Sequence, residues 1–323
     1  MDKSEINEKI AERIQLLGEK YDAMGQDMIS YLDGLLHADY LKYWEYINLD
    51  SLLGLQQPKT GFPDEMVFII YHQITELYFK LCLWEMEQIQ SHQHPDEIFF
   101  TARLKRINNY FTNLCHSFNI MTEGMEKEQF LKFRMSLLPS SGFQSAQYRM
   151  IEIRATDLIN LVNINKREDF DDYMALDQLY DSIYWKTGAT ELKTDKKTLT
   201  LEQFEEKYSE LFLQLAEKTR TNNFNQLLQK HYQKSNDQDI IKELQRFDYL
   251  ANVEWPLAHY RTTVRYLHKS PSDIEATGGT NWQQYLPPRF QKIIFFPQLW
   301  TLQEKEEWGK KWVFDQLEST AKH

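Results

Sequence analysis

One segment of the sequence restricts the fold more than any other: FPDEMVFIIYHQITELYFKLCLWE, from Phe62 to Glu85. Apolar side chains recur there every three to four residues, which is the repeat of an α-helix. One stripe carries a histidine, His72, among phenylalanines, and a second apolar stripe lies on another side. We therefore expect a helix that is buried on more than one face. The two stripes are Phe68, His72, Thr75, Phe79 and Leu83, and Ile70, Ile74, Leu77, Leu81 and Trp84.

The rest of the chain also favours helices. The 323 residues are 42% hydrophobic and contain only 11 glycines and 9 prolines, with no proline between Pro139 and Pro256. Each proline inside a helix would cost about 3 kcal/mol, so long stretches without proline suit long helices. No convincing alternating strand pattern occurs. The sequence therefore predicts an all-α fold, with a single helical domain that contains inserted helices.

The N-terminal segment has a seven-residue apolar repeat. Its steps alternate between four and three residues, which is the pattern of a long amphipathic helix or of a coiled-coil seam. This helix can lie on the protein's own core or contact another subunit. We predict residues 1–40 as an N-terminal helix that takes part in subunit contact, and residues 41–323 as the main helical domain. The repeat consists of Ile10, Ile14, Leu17, Tyr21, Met24, Met28, Tyr31 and Leu35.

The charge and the cysteine content exclude several classes of protein. A formal net charge of −11 and a pI near 5.4 argue against a nucleic-acid partner, because binding to phosphates needs clustered lysine and arginine. The N-terminus has no apolar signal core, and no run reaches the roughly 18 apolar residues of a membrane span. We therefore expect a cytoplasmic protein without a membrane partner. Two isolated cysteines, Cys82 and Cys115, predict neither a disulfide framework nor a thiolate metal site.

Two histidines are candidates for chemistry. His72 needs a hydrogen-bond partner on its apolar face, which the protein or a ligand can supply. His259 shares a helical face with Trp255, Thr262 and Tyr266 and can ligate a metal or a haem iron, or serve as a buried structural residue. Spacing alone leaves both alternatives open for each histidine.

Three further groups could bind a ligand. Arg134 lies one helical turn after Phe130, and a guanidinium in that position can bind a carboxylate through two parallel hydrogen bonds. A solvated or ion-paired arginine is the alternative. The loop ATGGT, residues 276–280, is flexible enough for close approach to a ligand. Tyr43 and Tyr46 lie three residues apart, and packing is their default role.

Four sequence blocks together resemble the haem-dependent tryptophan 2,3-dioxygenases. They are YWEYINLDSLLGLQQP, DEMVFIIYHQITELYFK, FRMSLLPSSGFQSAQYRMIE, and W-x-x-x-H followed by TGG. The blocks occur in the family's order and span most of residues 43–280. Several features depart from the usual family pattern. Pro63 replaces a histidine, and Pro256 replaces the basic residue that follows the tryptophan of the last block. The family's loop GTGGSSG reads ATGGTNW here, and the interval from His259 to Thr277 is longer than in bacterial members.

The resemblance implies a role for nine residues of this chain. His259 corresponds to the histidine that ligates the haem iron, and Ser141 to a small hydroxyl residue near the haem. His72 corresponds to the distal histidine that meets the indole N–H. The remaining positions correspond to substrate-binding residues: Phe68 in the pocket wall, Phe130 and Arg134 at the amino-acid carboxylate, Thr277 at the ammonium and carboxylate, and Tyr43 and Tyr46 from a neighbouring subunit.

The resemblance also implies an activity. A haem-dependent dioxygenase of this kind holds non-covalent haem b, ferrous in the active state, and opens the indole ring of L-tryptophan with O2 to give N-formyl-L-kynurenine. The family is an α-helical homotetramer, so a homotetramer is expected here. Two alternatives remain: a haem-dependent oxygenase of the same family that acts on another indole, and a helical oligomer that has lost haem.

Overall fold

Helices make up most of the part of the chain that the computed structural model describes. This part consists of residues 2–38, 42–92, 95–137, 142–170, 174–189, 197–232, 238–267 and 287–310. Within these ranges the β-structure is limited to one isolated bridge between Val162 and Ile183. The predicted all-α class is therefore confirmed.

The chain divides into two compact units, Met1–Gln56 and Gln57–His323. In the first unit, Tyr21 and Tyr31 pack ring against ring at 4.7 Å, and the Asp27 carboxylate caps the second helix. The boundary follows Gln56, whereas the sequence suggested residue 40; the role of residues 1–40 in subunit contact stays a prediction. The helices of this unit are α1 (Lys3–Ala23), α2 (Met28–Leu36), α3 (Tyr43–Tyr46) and α4 (Leu49–Leu53).

The second unit contains the longer helices. Short 3₁₀ turns connect several of them, and two π-turns cover Leu228–Tyr232 and Leu250–Glu254. The helices are α5 (Pro63–Ser91), α6 (Glu97–Glu123), α7 (Lys127–Phe133), α8 (Ala146–Ala155), α9 (Leu176–Asp181), α10 (Tyr184–Gly188), α11 (Leu199–Thr219), α12 (Phe224–Leu227), α13 (Gln238–Tyr249), α14 (Trp255–Leu267), α15 (Pro288–Gln291) and α16 (Leu302–Glu306).

The core of the second unit forms where α5 packs against α6. Phe79 of α5 meets Phe111 of α6 with ring centroids 6.2 Å apart, and both rings are buried. The buried Glu85 carboxylate also links the two helices, through ion pairs with Arg103 at 3.4 Å and Arg106 at 3.3 Å. These contacts hold α5, which carries His72, in a fixed position over α6.

The prediction that α5 is buried on more than one face is wrong for the single chain. The face with Tyr71, Thr75 and Phe79 is buried. The second stripe is exposed, with exposed fractions from 37% at Ile74 to 62% at Trp84. The apolar repeat identifies both stripes, but it does not show which of them the chain itself covers.

The length and composition of α5 would allow it to cross a lipid bilayer. A core helix of a soluble protein meets the same two criteria, and the buried side of α5 belongs to the core. The sequence expectation of no membrane partner therefore stays a prediction.

Candidate functional site

The His72 ring has a defined tautomer. Its Nδ1 lies 2.7 Å from the carbonyl oxygen of Phe68, one turn earlier in α5. A carbonyl oxygen only accepts hydrogen bonds, so Nδ1 carries the proton. Desolvation by the surrounding protein lowers the pKa of His72, against smaller opposing effects of the Phe68 carbonyl and the Glu76 carboxylate. The neutral ring therefore presents Nε2 as a hydrogen-bond acceptor.

The His72 ring is accessible to a ligand. Its surface is exposed, although the protein around it is dense enough to lower its pKa. Both properties hold together when solvent reaches one side of a ring and protein surrounds the rest. A ligand that approached the exposed side would meet Nε2, because Nδ1 is the nitrogen that donates to the Phe68 carbonyl.

Aromatic rings line the same region. The Phe68 ring lies 4.0 Å from the His72 ring, 5.8 Å from Phe133 and 6.3 Å from Phe130, measured between centroids. Phe130 in turn contacts Tyr266 of α14 at 4.7 Å. The helices α5, α7 and α14 thus contribute to one apolar cluster, which suits a flat apolar ligand with few polar groups.

His259 lies close enough to His72 for the two rings to affect each other electrostatically. Desolvation is the main cause that lowers the pKa of His259 to about 4, and the charge of His72 is the second cause. A chain of ring contacts connects the two histidines: His72 meets Tyr71 at 5.6 Å, Tyr71 meets Phe118 at 5.6 Å, and Phe118 stacks on His259 at 5.9 Å. Residues that are 187 positions apart in sequence therefore belong to one site.

Arg134 lies at the end of α7, the helix that contributes Phe130 and Phe133 to the aromatic cluster. It follows the last residue of α7, and its backbone N–H donates to the carbonyl of Phe130. Burial lowers the pKa of the Arg134 guanidinium, so this cation is partly removed from water. A partly desolvated guanidinium is suited to bind a carboxylate.

Four other predicted site residues lie outside the described residues or in the N-terminal unit. Ser141 and Thr277 lie outside the described residues. Tyr43 and Tyr46 belong to the N-terminal unit, where their side chains are 71% and 75% exposed. The roles of these four residues stay predictions.

Sequence reasoning overlooked two members of the aromatic cluster, Tyr71 and Phe133. Tyr71 is buried, and its ring stands between His72 and Phe118. Phe133 is fully buried and packs against Phe68 and Phe130. The helical repeat offered a partial signal, because Tyr71, Thr75 and Phe79 are spaced by four residues.

The described residues do not favour a bare metal ion. None of them forms a group of three or more histidine, cysteine, aspartate or glutamate side chains that could hold such an ion. Two neutral imidazoles beside an apolar cluster instead suit a planar metal complex that needs only one axial ligand from the protein.

Comparison with protein families identifies the chain. The family model described as "Tryptophan 2,3-dioxygenase" matches residues 35–270. The chain belongs to the tryptophan 2,3-dioxygenase family. The matched range contains His72, Arg134 and His259, and it covers α5 to α14, the helices that build the site.

Individual tryptophan 2,3-dioxygenases resemble a shorter segment. The protein of that name from Ruegeria sp. (strain TM1040) is 41% identical over 119 residues, which cover 36% of this chain and 41% of the relative. The one from Polaromonas naphthalenivorans (strain CJ2) is 39% identical over 113 residues, 35% and 40% of the two chains. The one from Anaeromyxobacter sp. (strain K) is 37% identical over 121 residues, 37% and 45% of the two chains. The similar segment thus spans about two fifths of these relatives.

Proposed function

We propose that this chain is a haem-dependent dioxygenase that opens the indole ring of L-tryptophan with O2. The C2–C3 bond of the indole breaks and both atoms of O2 enter the product, N-formyl-L-kynurenine, so the reaction consumes no further oxidant or reductant. Membership of the tryptophan 2,3-dioxygenase family supports this reaction class. The observation that carries the proposal is that ring contacts join His72 and His259 to one aromatic cluster.

His259 is the residue that would hold non-covalent haem b. Iron is ligated by the neutral form of imidazole, and a pKa of about 4 keeps the His259 ring neutral at physiological pH. Bound ferrous haem supplies the activation of O2, which no protein side chain provides. Phe118 stacks on the His259 ring and restricts its rotation.

His72 would orient the substrate. Its Nδ1 donates to the Phe68 carbonyl, which leaves Nε2 to accept a hydrogen bond from the indole N–H. This contact would fix the orientation of the indole ring in the proposed substrate pocket. The benzo edge of the indole would pack on apolar rings such as Phe68, which lies beside His72. His72 then acts by positioning and polarising the substrate, and it is not required as a base.

Arg134 would bind the carboxylate of the amino acid. A guanidinium forms two parallel hydrogen bonds with a carboxylate, and partial burial strengthens them. Phe130 lies one turn before Arg134 and contacts Phe68. In the proposed substrate pocket, Phe130 thus lies between the residue for the carboxylate and the residue for the indole. A substrate with both an indole and a carboxylate satisfies His72 and Arg134 together.

The remaining parts of the proposal rest on the family resemblance. Thr277 would contact the ammonium and carboxylate of tryptophan, and Ser141 would lie near the haem. Tyr43 and Tyr46 would close the pocket from a neighbouring subunit of a homotetramer. We expect this assembly to be located in the cytoplasm.

The activity is tested with the full chain loaded with haem and reduced. We expect formation of N-formyl-L-kynurenine, followed by its absorbance, that depends on both L-tryptophan and O2. His259→Ala is expected to abolish the haem Soret band. The proposal is overturned if the haem-loaded chain shows no turnover; no Soret band in the parent after haem supplementation would favour the haem-less oligomer.

A second experiment separates L-tryptophan from other indoles as the substrate. We expect Arg134→Ala to lower kcat/KM for L-tryptophan about 100-fold, because charge-assisted hydrogen bonds are worth about 1.5–3 kcal/mol each. The value for tryptamine, which has no carboxylate, should change little. Lys132→Ala is the matched control, since Lys132 is an exposed cation on α7. Equal effects of Arg134→Ala on both substrates would favour a related oxygenase that acts on another indole.

A further inference from the structure

The helix that carries His259 contains an irregular turn. The π-turn Leu250–Glu254 joins α13 directly to α14, so that residues 238–267 form one helical segment. A π-turn accommodates one residue more than an α-helical turn and occurs often near functional sites. Pro256 lies two residues after Glu254 and has no N–H for an α-helical hydrogen bond, which favours the irregular geometry at this point.

The extra residue changes the direction in which His259 points. Phe247, before the π-turn, contacts Phe111 of α6 at 5.7 Å, and His259, after it, stacks on Phe118 of the same helix at 5.9 Å. In a regular α-helix, residues twelve positions apart point about 120° away from each other, at roughly 100° per residue. With one residue absorbed by the π-turn, the difference falls to about 20°, so both rings can face α6.

Two buried side chains hold the π-turn in place. The Tyr148 hydroxyl of α8 donates to the carbonyl of Ala251 at 2.8 Å. The Asp248 carboxylate of α13 accepts a hydrogen bond at 2.8 Å from the side chain of Asn252, which belongs to the π-turn. The same carboxylate accepts from the backbone N–H groups of Phe295 at 2.8 Å and Phe296 at 3.1 Å. The π-turn is thus attached to α8 on one side and to residues 295–296 on the other.

We propose that the π-turn Leu250–Glu254 sets the rotation of His259 about its helix axis, and that Tyr148 and Asp248 are positioning residues for this ligand. The proposal rests on the role of His259 as haem ligand in the proposed function. If the π-turn were replaced by regular α-helix with every residue kept, His259 would be turned about 100° away from Phe118.

The proposal predicts that haem binding tolerates the deletion of one residue but not the insertion of one. Deletion of Glu254 combined with Pro256→Ala removes the extra residue and the proline, so a regular helix then directs His259 toward α6 again. We expect this variant to keep the haem Soret band of the parent. Insertion of one alanine after Glu254, also combined with Pro256→Ala, adds a further rotation of about 100° and should abolish the band. Pro256→Ala alone is the background for both.

Each outcome of this comparison either supports or overturns the proposal. Retention of haem by the deletion variant and its loss by the insertion variant support the proposal. Loss of haem in both folded variants, or retention in both, overturns it. If the parent chain binds no haem, the proposed function fails before this inference is reached. If circular dichroism shows that the deletion variant is unfolded, a second pair of variants decides.

This second pair removes one buried hydroxyl each. Tyr148→Phe removes the hydrogen bond to Ala251, and Tyr232→Phe removes a similar bond from a buried tyrosine of the other π-turn to the carbonyl of Pro95. We expect Tyr148→Phe to weaken haem affinity at least fivefold in a Soret titration. Tyr232→Phe should leave haem affinity unchanged. Equal haem affinities of the two variants would overturn the positioning role of Tyr148.

Discussion

The buried carboxylate of Asp248 makes the stability of the protein depend on pH in a predictable way. Asp248 is 0% exposed, and burial raises its pKa from the ordinary 3.8 to about 6, although four hydrogen bonds act in the opposite direction. A folded state that holds the proton more tightly than the unfolded state is most stable below the unfolded pKa. The contribution of Asp248 to stability is therefore lost as the pH rises from about 4 through about 6.

The size of this effect follows from the shift. A change of about two pKa units corresponds to about 3 kcal/mol. Asp248→Asn has no such contribution, because an amide is neutral in both states. The amide also keeps only one acceptor oxygen, so two of the four buried donors lose their acceptor at a cost of about 1–3 kcal/mol each. The variant is thus less stable than the parent at pH 4, and the difference should shrink by about 3 kcal/mol by pH 7.

Urea unfolding followed by far-UV circular dichroism at a series of pH values between 4 and 8 measures this difference. We expect the free energies of unfolding of parent and variant to converge between pH 4 and pH 6 and to run parallel above pH 7. Two curves that stay parallel over the whole range would refute the reasoning, because Asp248 would then titrate at the same pH in the folded and unfolded chain.

Substitutions at three further contacts give testable predictions. Arg149→Met leaves the buried Glu152 carboxylate without the cation that lies 3.0 Å away. Thermal unfolding should therefore show a loss of about 3–5 kcal/mol in the free energy of unfolding. Lys9→Met, at an exposed ion pair, is the control and should have no measurable effect. Asp96→Ala removes the N-cap hydrogen bond to the Phe99 N–H at 2.8 Å and should cost about 1 kcal/mol in urea unfolding. Phe118→Ala removes the buried ring that stacks on His259. We expect the free energy of unfolding to fall by about 3–5 kcal/mol and haem affinity to weaken in a Soret titration. An unchanged haem affinity would contradict the role given to this ring.

The helices themselves were predictable because their signal is local. The apolar stripe Leu104, Ile107, Phe111, Leu114 and Phe118 appears in the structure as the buried face of α6. Side chains spaced by three or four residues share one face of a helix whatever surrounds it. The same rule located His72 and Phe68 on one side of α5, where their rings are 4.0 Å apart.

The candidate site was predictable from the sequence only in part. The family resemblance named His72, Arg134 and His259 separately, and each residue type suggested its own chemistry. The sequence did not show that Tyr71 and Phe118 form the contact between His72 and His259, because these residues come from α5, α6 and α14. Such contacts depend on how helices pack, which no repeat along one helix encodes.

The sequence by itself determined the all-α class, most helical segments and the chemical identity of the site residues, since these depend on residue type and on spacing within a few turns. Only the tertiary structure decided which face of α5 is buried, where the π-turn absorbs a residue, and which nitrogen of His72 is free to accept a hydrogen bond. Burial, the rotation of a helix and the choice of a tautomer depend on partners distant in the chain or on the exact course of the backbone. These partners are brought together only when the helices pack.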